Sequence, residues 1–188
     1  MILGICGSGR KEGNTGALVE AVLQAADGPS ELIWLIDQHL GYCTGCMRCA
    51  FEGACWQIDG MTGLYQKLID AEAIVFGSPC YYGNVSGLFK SFMDRSIALG
   101  YMGIGKEADI AMHGRKPLAG KPAALVSAVA GHGADSVLAI MESYAGYGGM
   151  NIVGKLGAVA GMDDVRDKKE IMYQARELGL KIRQALKK

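Results

Sequence analysis

Five short apolar runs, Ile2–Cys6, Glu31–Ile36, Ala73–Gly77, Ala123–Val129 and Ile152–Val159, alternate with segments of helical periodicity along this chain of 188 residues. That alternation is the strongest constraint on the fold. The runs fit strands and are too short for buried helices. The third and fourth are almost continuously apolar, as expected of parallel strands covered on both faces. Between the runs, Leu18, Val22 and Ala25 mark one face of a first helix. Leu64, Leu68 and Ile69 mark a second, which Asp59 is placed to cap. Leu88, Phe92 and Met93 mark a third, and Val137, Ile140, Met141 and Tyr144 a fourth. The clearest is the last, where Ile171, Ala175, Leu178, Ile182 and Leu186 follow a 3-4 spacing. Asp163, Asp164 and Asp167 stand at its start and Lys181, Arg183, Lys187 and Lys188 at its end, which suits the helix dipole.

Strand-helix alternation with five strands predicts a three-layer α/β fold around a doubly wound parallel sheet. Five strands favour the flavodoxin-like order 2-1-3-4-5 over a six-stranded dinucleotide fold. Ligands in such sheets lie beyond the carboxyl ends of the strands, at the switch point. The loops to read are therefore those after Cys6, Gly77 and Val129. The expectation is a single domain, residues 1–188, with two excursions from the pattern at about 38–60 and 96–117. Loops this long are usually functional or cover something.

Charge excludes some functions. The chain carries 19 Lys+Arg against 19 Asp+Glu, so no basic excess calls for nucleic acid or an anionic membrane. The N-terminal apolar run is short and lacks a basic flank, and Ala73–Phe89 is broken by Gly77, Pro79 and Gly83, so neither a signal peptide nor a membrane span is expected. A cytoplasmic location is the default expectation. In a reducing compartment, six cysteines favour metal or redox roles over structural disulfides.

Four of those cysteines crowd into the first excursion as Cys43-x2-Cys46-x2-Cys49-x5-Cys55. They are too close in sequence to staple distant parts of a fold. The first three match the opening of a ferredoxin spacing, and small residues (Thr44, Gly45, Gly53, Ala54) let the backbone curl so that four sulfurs can converge. Structural zinc sites usually join two well-separated Cys-x2-Cys pairs instead. The order of preference is a [4Fe–4S] cluster, then zinc, then free thiols packed as small hydrophobes. Cys6 lies inside the first strand and reads as a buried small residue.

The loop after the first strand, Gly7 to Thr15, opens a helix, and a helix N-terminus suits a phosphate. Ser8 and Thr15 offer hydroxyls, Asn14 an amide, Arg10 a cation and Gly13 close backbone approach. Gly13-Asn14-Thr15 is not the end of a Walker A loop, and Glu12 stands where a dinucleotide fingerprint needs its third small residue. A monophosphate fits better than a pyrophosphate, and a ligand-free glycine-rich turn is the plainer alternative. The loop after the third strand, Ser78-Pro79-Cys80-Tyr81-Tyr82-Gly83-Asn84, offers ring faces and backbone donors to a planar heterocycle. Alone, it reads equally as a tyrosine-rich turn ahead of a helix that Ser86 caps. Among the histidines, His39 and His113 read as solvated loop residues, while His132 follows the fourth strand at the same rim.

Taken together, Gly-Ser-x-Arg-x-x-Gly-Asn-Thr, Ser-Pro-x-Tyr-Tyr-Gly-Asn-Val-Ser-Gly and Phe-Lys-Ser-Phe-Met-Asp-Arg at Phe89–Arg95 resemble the NADPH-dependent FMN reductase group of flavodoxin-fold proteins. With the four-cysteine loop between them, the chain resembles the iron-sulfur flavoprotein branch of that group. The specific motifs cover roughly the first hundred residues, and the rest follows by element order. The resemblance implies that Ser8, Arg10, Gly13, Asn14 and Thr15 hold the FMN phosphate. It implies that Ser78, Pro79, Tyr81, Tyr82, Gly83 and Asn84 face the isoalloxazine ring; Cys80 reads either as packing or as a reactive thiol beside the flavin, and His132 equally as a contact at the flavin edge or as a plain turn histidine. Cys43, Cys46, Cys49 and Cys55 become the cluster ligands. The pattern is departed from at Gly9, where proline is usual, at Gly13, where serine is frequent, and at Cys80, where a small apolar residue is usual.

The functional expectation is an FMN- and [4Fe–4S]-containing electron-transfer flavoprotein whose cluster and flavin loops share one rim of the sheet. Its partner is a ferredoxin-like carrier or NAD(P)H, and the resemblance implies a homodimer or homotetramer in which a neighbouring subunit helps close the flavin site. Ser96–Pro117 is the candidate contact. The alternatives are an NAD(P)H-dependent flavin or quinone reductase without a working cluster, and a zinc-stabilised flavodoxin-like binding or sensor module.

Overall fold

The computed structural model describes residues 1–102 and 116–187. Five parallel strands form one sheet: β1 (Ile2–Cys6), β2 (Ser30–Trp34), β3 (Ala73–Gly77), β6 (Pro122–Val129) and β7 (Asn151–Val159), in the order β2-β1-β3-β6-β7. Counting these long strands alone, that is the 2-1-3-4-5 order expected. A two-stranded antiparallel hairpin, β4 (Cys80–Tyr81) and β5 (Asn84–Val85), sits in the loop after β3. The helices are α1 (Asn14–Ala26), α2 (Arg48–Glu52), α3 (Gly60–Asp70), α4 (Gly87–Arg95), α5 (Ala134–Tyr147) and α6 (Lys169–Leu186).

Alternation along the strands divides the core in two. Leu3, Ile5, Ile74, Phe76, Ala123 and Leu125 face α3, α4 and α5. Ile2, Val75, Ala124, Val126 and Ala158 face α1 and α6. The α1 face is packed close: a Cβ on Gly77 would lie 2.4 Å from Val19 Cγ2. Likewise, a Cβ on the α6 residue Gly179 would lie 2.3 Å from the Val22 carbonyl oxygen.

Registers align the strand ends. Cys6 pairs with both Trp34 and Gly77, and Gly77 with Val126, so the loops that follow begin at one rim. The same register shortens the second strand. Glu31–Ile36 was the expected span, but β1 ends at Cys6 opposite Trp34, so the ladder has no partner beyond it. Leu35–Gln38 turns instead into a 3-10 segment that buries Leu35. Ser96–Gly100 is also 3-10, with Ala98 and Leu99 buried. Within the expected Ser96–Pro117 contact, residues 103–115, His113 among them, lie outside the described residues. Among the described residues, no helix is long and apolar enough to cross a membrane.

Candidate functional site: a strand-end rim and a cysteine cavity

The rim is built by backbone ties between loops. Gly7 N donates to the Gly77 carbonyl (2.8 Å) and Ser78 N to that of Val126 (3.2 Å). Ser86 is the pin. Its hydroxyl donates to the Gly7 carbonyl (2.6 Å) and accepts from Phe89 N (3.1 Å), so one side chain caps α4 and joins the first loop to the third. Ser78 Oγ accepts from Ser86 N at 3.0 Å. Ser86→Ala loses a cap and a buried bond together, and a fall of about 1–3 kcal/mol in unfolding free energy is expected. Urea unfolding checks the stability, and an FMN titration should show weaker binding as the two loops lose register.

In the first loop, Ser8 is buried, its hydroxyl accepting from Arg10 N and donating to the Arg10 carbonyl, each at 3.1 Å. Thr15 is buried and Arg10 exposed. Gly13 occupies the N-cap of α1 without a side-chain acceptor, so the first-turn N–H groups have no side-chain cap. Asn14 faces elsewhere: its amide donates to the Asp163 carbonyl (2.9 Å) and accepts from Val165 N (3.1 Å). That side chain fastens the loop to the segment before α6.

In the third loop, Tyr82 (φ 51°) and Gly83 (φ 72°) both adopt left-handed backbone, as a type I′ hairpin turn requires. Tyrosine is an unusual choice there, and its ring is fully exposed. Tyr81, Gly83 and Asn84 are exposed too, Pro79 is buried, and Asn84 Oδ1 accepts from Val85 N (2.9 Å). A Cβ on Gly133 (φ 95°) would lie 2.7 Å from Cys80 Sγ, so the loop carrying exposed His132 packs directly on Cys80. The structure thus gathers the first, third and fourth loops at one rim.

The cysteines stand elsewhere. Cys43, Cys46, Cys49 and Cys55 line one cavity of about 810 Å³, together with Trp56, Met93, Arg95, Tyr101, Tyr144, Tyr147 and Met150. Those residues include the C-terminal ends of α4 and α5, and none of the described residues of the rim loops reaches it. The helix α5, fourteen residues long and hence about 20 Å, runs from the rim at its N-terminus to the cavity at its C-terminus. The expectation that cysteine and rim loops share one edge is therefore corrected. A buried ion pair draws the neck of the cysteine loop onto the end of α4, where Arg95 grips Asp59 (Nη1–Oδ2 2.6 Å, Nη2–Oδ1 3.2 Å).

All six cysteines are free thiols. Among the described residues, no three His, Cys, Asp or Glu side chains converge closely enough to hold a metal ion. The expected convergence of four sulfurs is thus not seen among the described residues. Burial pushes the Cys49 thiol up, and the neighbouring Cys55, Cys43 and Cys46 push it further, which favours its protonated form. Cys46 is drawn the other way: the Arg48 N–H, then Thr44 and Trp56, hold its thiol low against a small desolvation cost. Soft sulfur donors on one cavity wall, with left-handed Gly45, Met47 and Gly53 bending the loop, fit a thiolate-ligated centre. Cys6 is separate, buried in β1 and pushed up to about 11 by burial.

Sequence reasoning gave Asp59 only a capping role, which it keeps by accepting from Met61 N (2.9 Å). Its pairing with Arg95, 36 residues away, was missed. A signal was present: Asp59 is the one acid between the last cysteine and the helix, and Arg95 ends a helix with an apolar face. Burial opposes ionisation of Asp59, but bonds from Arg95, Gly41 N and Met61 N outweigh it and hold its carboxyl below the usual range. A carboxyl depressed in the folded state stabilises fully above its unfolded value of about 4 and loses that contribution as pH falls through the lower folded value. Wild type should therefore lose stability below about pH 4 more steeply than Asp59→Asn. Urea midpoints between pH 3 and 7 measure the difference.

Comparison with known proteins fits this geometry. The family model described as NADPH-dependent FMN reductase matches residues 1–163. An iron-sulfur flavoprotein of Methanocaldococcus jannaschii is 44% identical over 101 residues, 52% of each chain. One from Archaeoglobus fulgidus is 32% identical over 127 residues, 58% of each. The chain thus spans about half the length of the curated relatives it matches. Among solved structures, a flavone reductase superposes with TM-score 0.74 at 22% identity, over 99% of this chain and 62% of the other. An archaeal flavodoxin superposes with TM-score 0.62 at 16% identity over the full length of both. At such identities the superpositions establish the fold, whereas the family match extends from β1 through β7 and takes in both the rim and the cysteine loop. The chain belongs to the NADPH-dependent FMN reductase family.

Proposed function

We propose that this chain is a redox flavoprotein that holds FMN at the strand-end rim and a [4Fe–4S] cluster on the cysteine loop. It would exchange electrons with a ferredoxin-like carrier, NAD(P)H or a small-molecule partner. The observation that carries the reading is the placing of all four loop cysteines on one cavity wall, in a chain of a flavin-binding family. Bound FMN supplies one- or two-electron chemistry and a bound cluster one-electron chemistry; the protein supplies position, burial and hydrogen bonds.

Ser8, Arg10, Gly13 and Thr15 hold the FMN phosphate at the uncapped start of α1, with Asn14 bracing the loop from behind. Ser78, Pro79, Cys80, Tyr81, Tyr82, Gly83 and Asn84 face the ring, and the exposed tyrosines form a ring-sized wall. His132 stands at its edge. Cys43, Cys46, Cys49 and Cys55 ligate the cluster. With rim and cavity at opposite ends of α5, a homodimer or homotetramer completes the site by bringing a neighbouring rim to the cavity. Exposed Tyr42, Met47, Phe51, Trp56, Ile58 and Tyr147 support a contact on this side, because large exposed apolar patches mark interaction surfaces.

Purification without oxygen, followed by flavin release and iron, sulfide and zinc analysis, tests the reading. FMN with roughly four irons and four sulfides per chain is expected, and dithionite reduction should give a low-temperature EPR signal that flavin alone does not. Flavin without iron would favour the cluster-free reductase, and zinc without sulfide the binding module.

A further inference from the structure

We infer that Arg95 is a positioning residue that closes the neck of the cysteine loop and holds the four thiols ready for their metal centre. The side chain is 1% exposed, yet it reaches both arms of the loop at once. On the incoming arm, Nη1 donates to the Gly41 carbonyl at 3.1 Å. On the outgoing arm, Nη1 donates to Gln57 Oε1 at 3.2 Å and Nη2 to the Gln57 carbonyl at 3.4 Å. The bidentate pair with Asp59 completes the grip. The arms are also tied to each other: Gly41 N donates to Asp59 Oδ2 (2.9 Å), and Gln57 Nε2 to the Tyr42 carbonyl (2.9 Å). Space is filled at the crossing, since a Cβ on Gly41 would lie 2.3 Å from Gln57 Oε1. Tyr65 Oη donates to the Arg95 carbonyl (3.0 Å), fastening the end of α4 to α3 beneath the neck.

The planar guanidinium is the group that can do this, because its donors spread in one fixed plane across two strands of chain. Residues 42–58, which carry every cluster cysteine, then hang from a closed ring. Closing a loop before its ligand arrives removes ordering cost from the binding step. A second feature ties Arg95 to the cavity. Arg95 lines that cavity, and its Nε–H is buried without a hydrogen-bond partner among the described residues. Buried donors are ordinarily paired, so this N–H is an unmet donor at the neck.

The inference rests on the cluster reading for its iron measurement alone; the loop measurement stands without it. Hydrogen exchange on the metal-free protein should show amides of 42–58 opening about tenfold faster or more in Arg95→Met, with β1, β3 and β6 still protected. Arg95→Lys, which keeps charge but not the bidentate fork, should fall between that variant and wild type. Asp59→Asn, which leaves α4 and the Tyr65 bond intact, should loosen the same segment. After anaerobic reconstitution, Arg95→Met should take up less than about half the wild-type iron, at unchanged FMN content, with Arg95→Lys partly restoring it. Unchanged exchange in 42–58 in both Arg95→Met and Asp59→Asn would overturn the inference. So would full iron uptake by Arg95→Met, or exchange rising equally across the whole sheet in every variant. A wild type that takes up no iron while the variants loosen 42–58 refutes the cluster reading and leaves the clamp standing.

Discussion

Replacing Cys46 with alanine is expected to strip the iron of the proposed cluster and to leave the flavin in place. Cys46 stands exposed in the middle of the four-cysteine run, between Gly45 and Met47 in left-handed backbone. Metal binding to such a loop is cooperative, because each ligand helps order the others, so losing one of four should collapse occupancy rather than trim it. Broad visible absorption should disappear while the FMN bands remain. The flavin survives because the cysteine cavity shares no residue with the rim loops. Cys46→Ser, with a harder oxygen donor, should retain less iron than wild type. Iron content equal to wild type in Cys46→Ala would contradict the ligand assignment. Loss of flavin along with the iron would contradict the separation of the two sites.

Phe76→Ala is the stability change of largest expected size, about 3–5 kcal/mol. The ring is fully buried at the centre of the sheet and meets Tyr144 edge-on at 5.5 Å and Phe89 edge-on at 6.0 Å, with Phe92 tilted at 6.3 Å. Removing it opens a cavity under α4 and α5 and forfeits the aromatic contacts. Domains of this size hold about 5–15 kcal/mol in total, so the variant should sit near the unfolding threshold. Its neighbours serve both sites: Phe89 abuts Gly7 at the rim, and Tyr144 lines the cysteine cavity. Urea unfolding should show the midpoint falling sharply, while Phe76→Leu costs less than half as much. An unfolding free energy within about 1 kcal/mol of wild type would show that the cluster carries little of the fold.

Much of the architecture could be read from the chain. Ala73–Gly77 is β3 to the residue, and the expected Asp59 and Ser86 caps both form. These are local facts: periodicity and capping act within a turn or a strand and leave their mark in adjacent residues. The short elements were hidden for the same reason. The helix α2 has five residues, too few for a period, and the β4–β5 hairpin depends on tyrosine adopting a positive φ that its side chain disfavours.

The candidate site divides along the same line. Which residues carry the chemistry was legible, because Cys43, Cys46, Cys49 and Cys55 and the loop after β1 are compact motifs. Where they stand was not. Asn14 turns from the rim toward Asp163 and Val165, almost the length of the chain away. Arg95 meets Asp59 across 36 residues and draws the cysteine loop toward the far end of α5. The order of strands, the caps and the soft ligand set follow from neighbours in sequence, because short-range sterics, periodicity and donor chemistry decide them. The separation of rim from cavity, and the ring that closes the loop, follow from burial. A guanidinium taken out of water must find its carboxylate wherever packing brings one, and no local pattern records where that is.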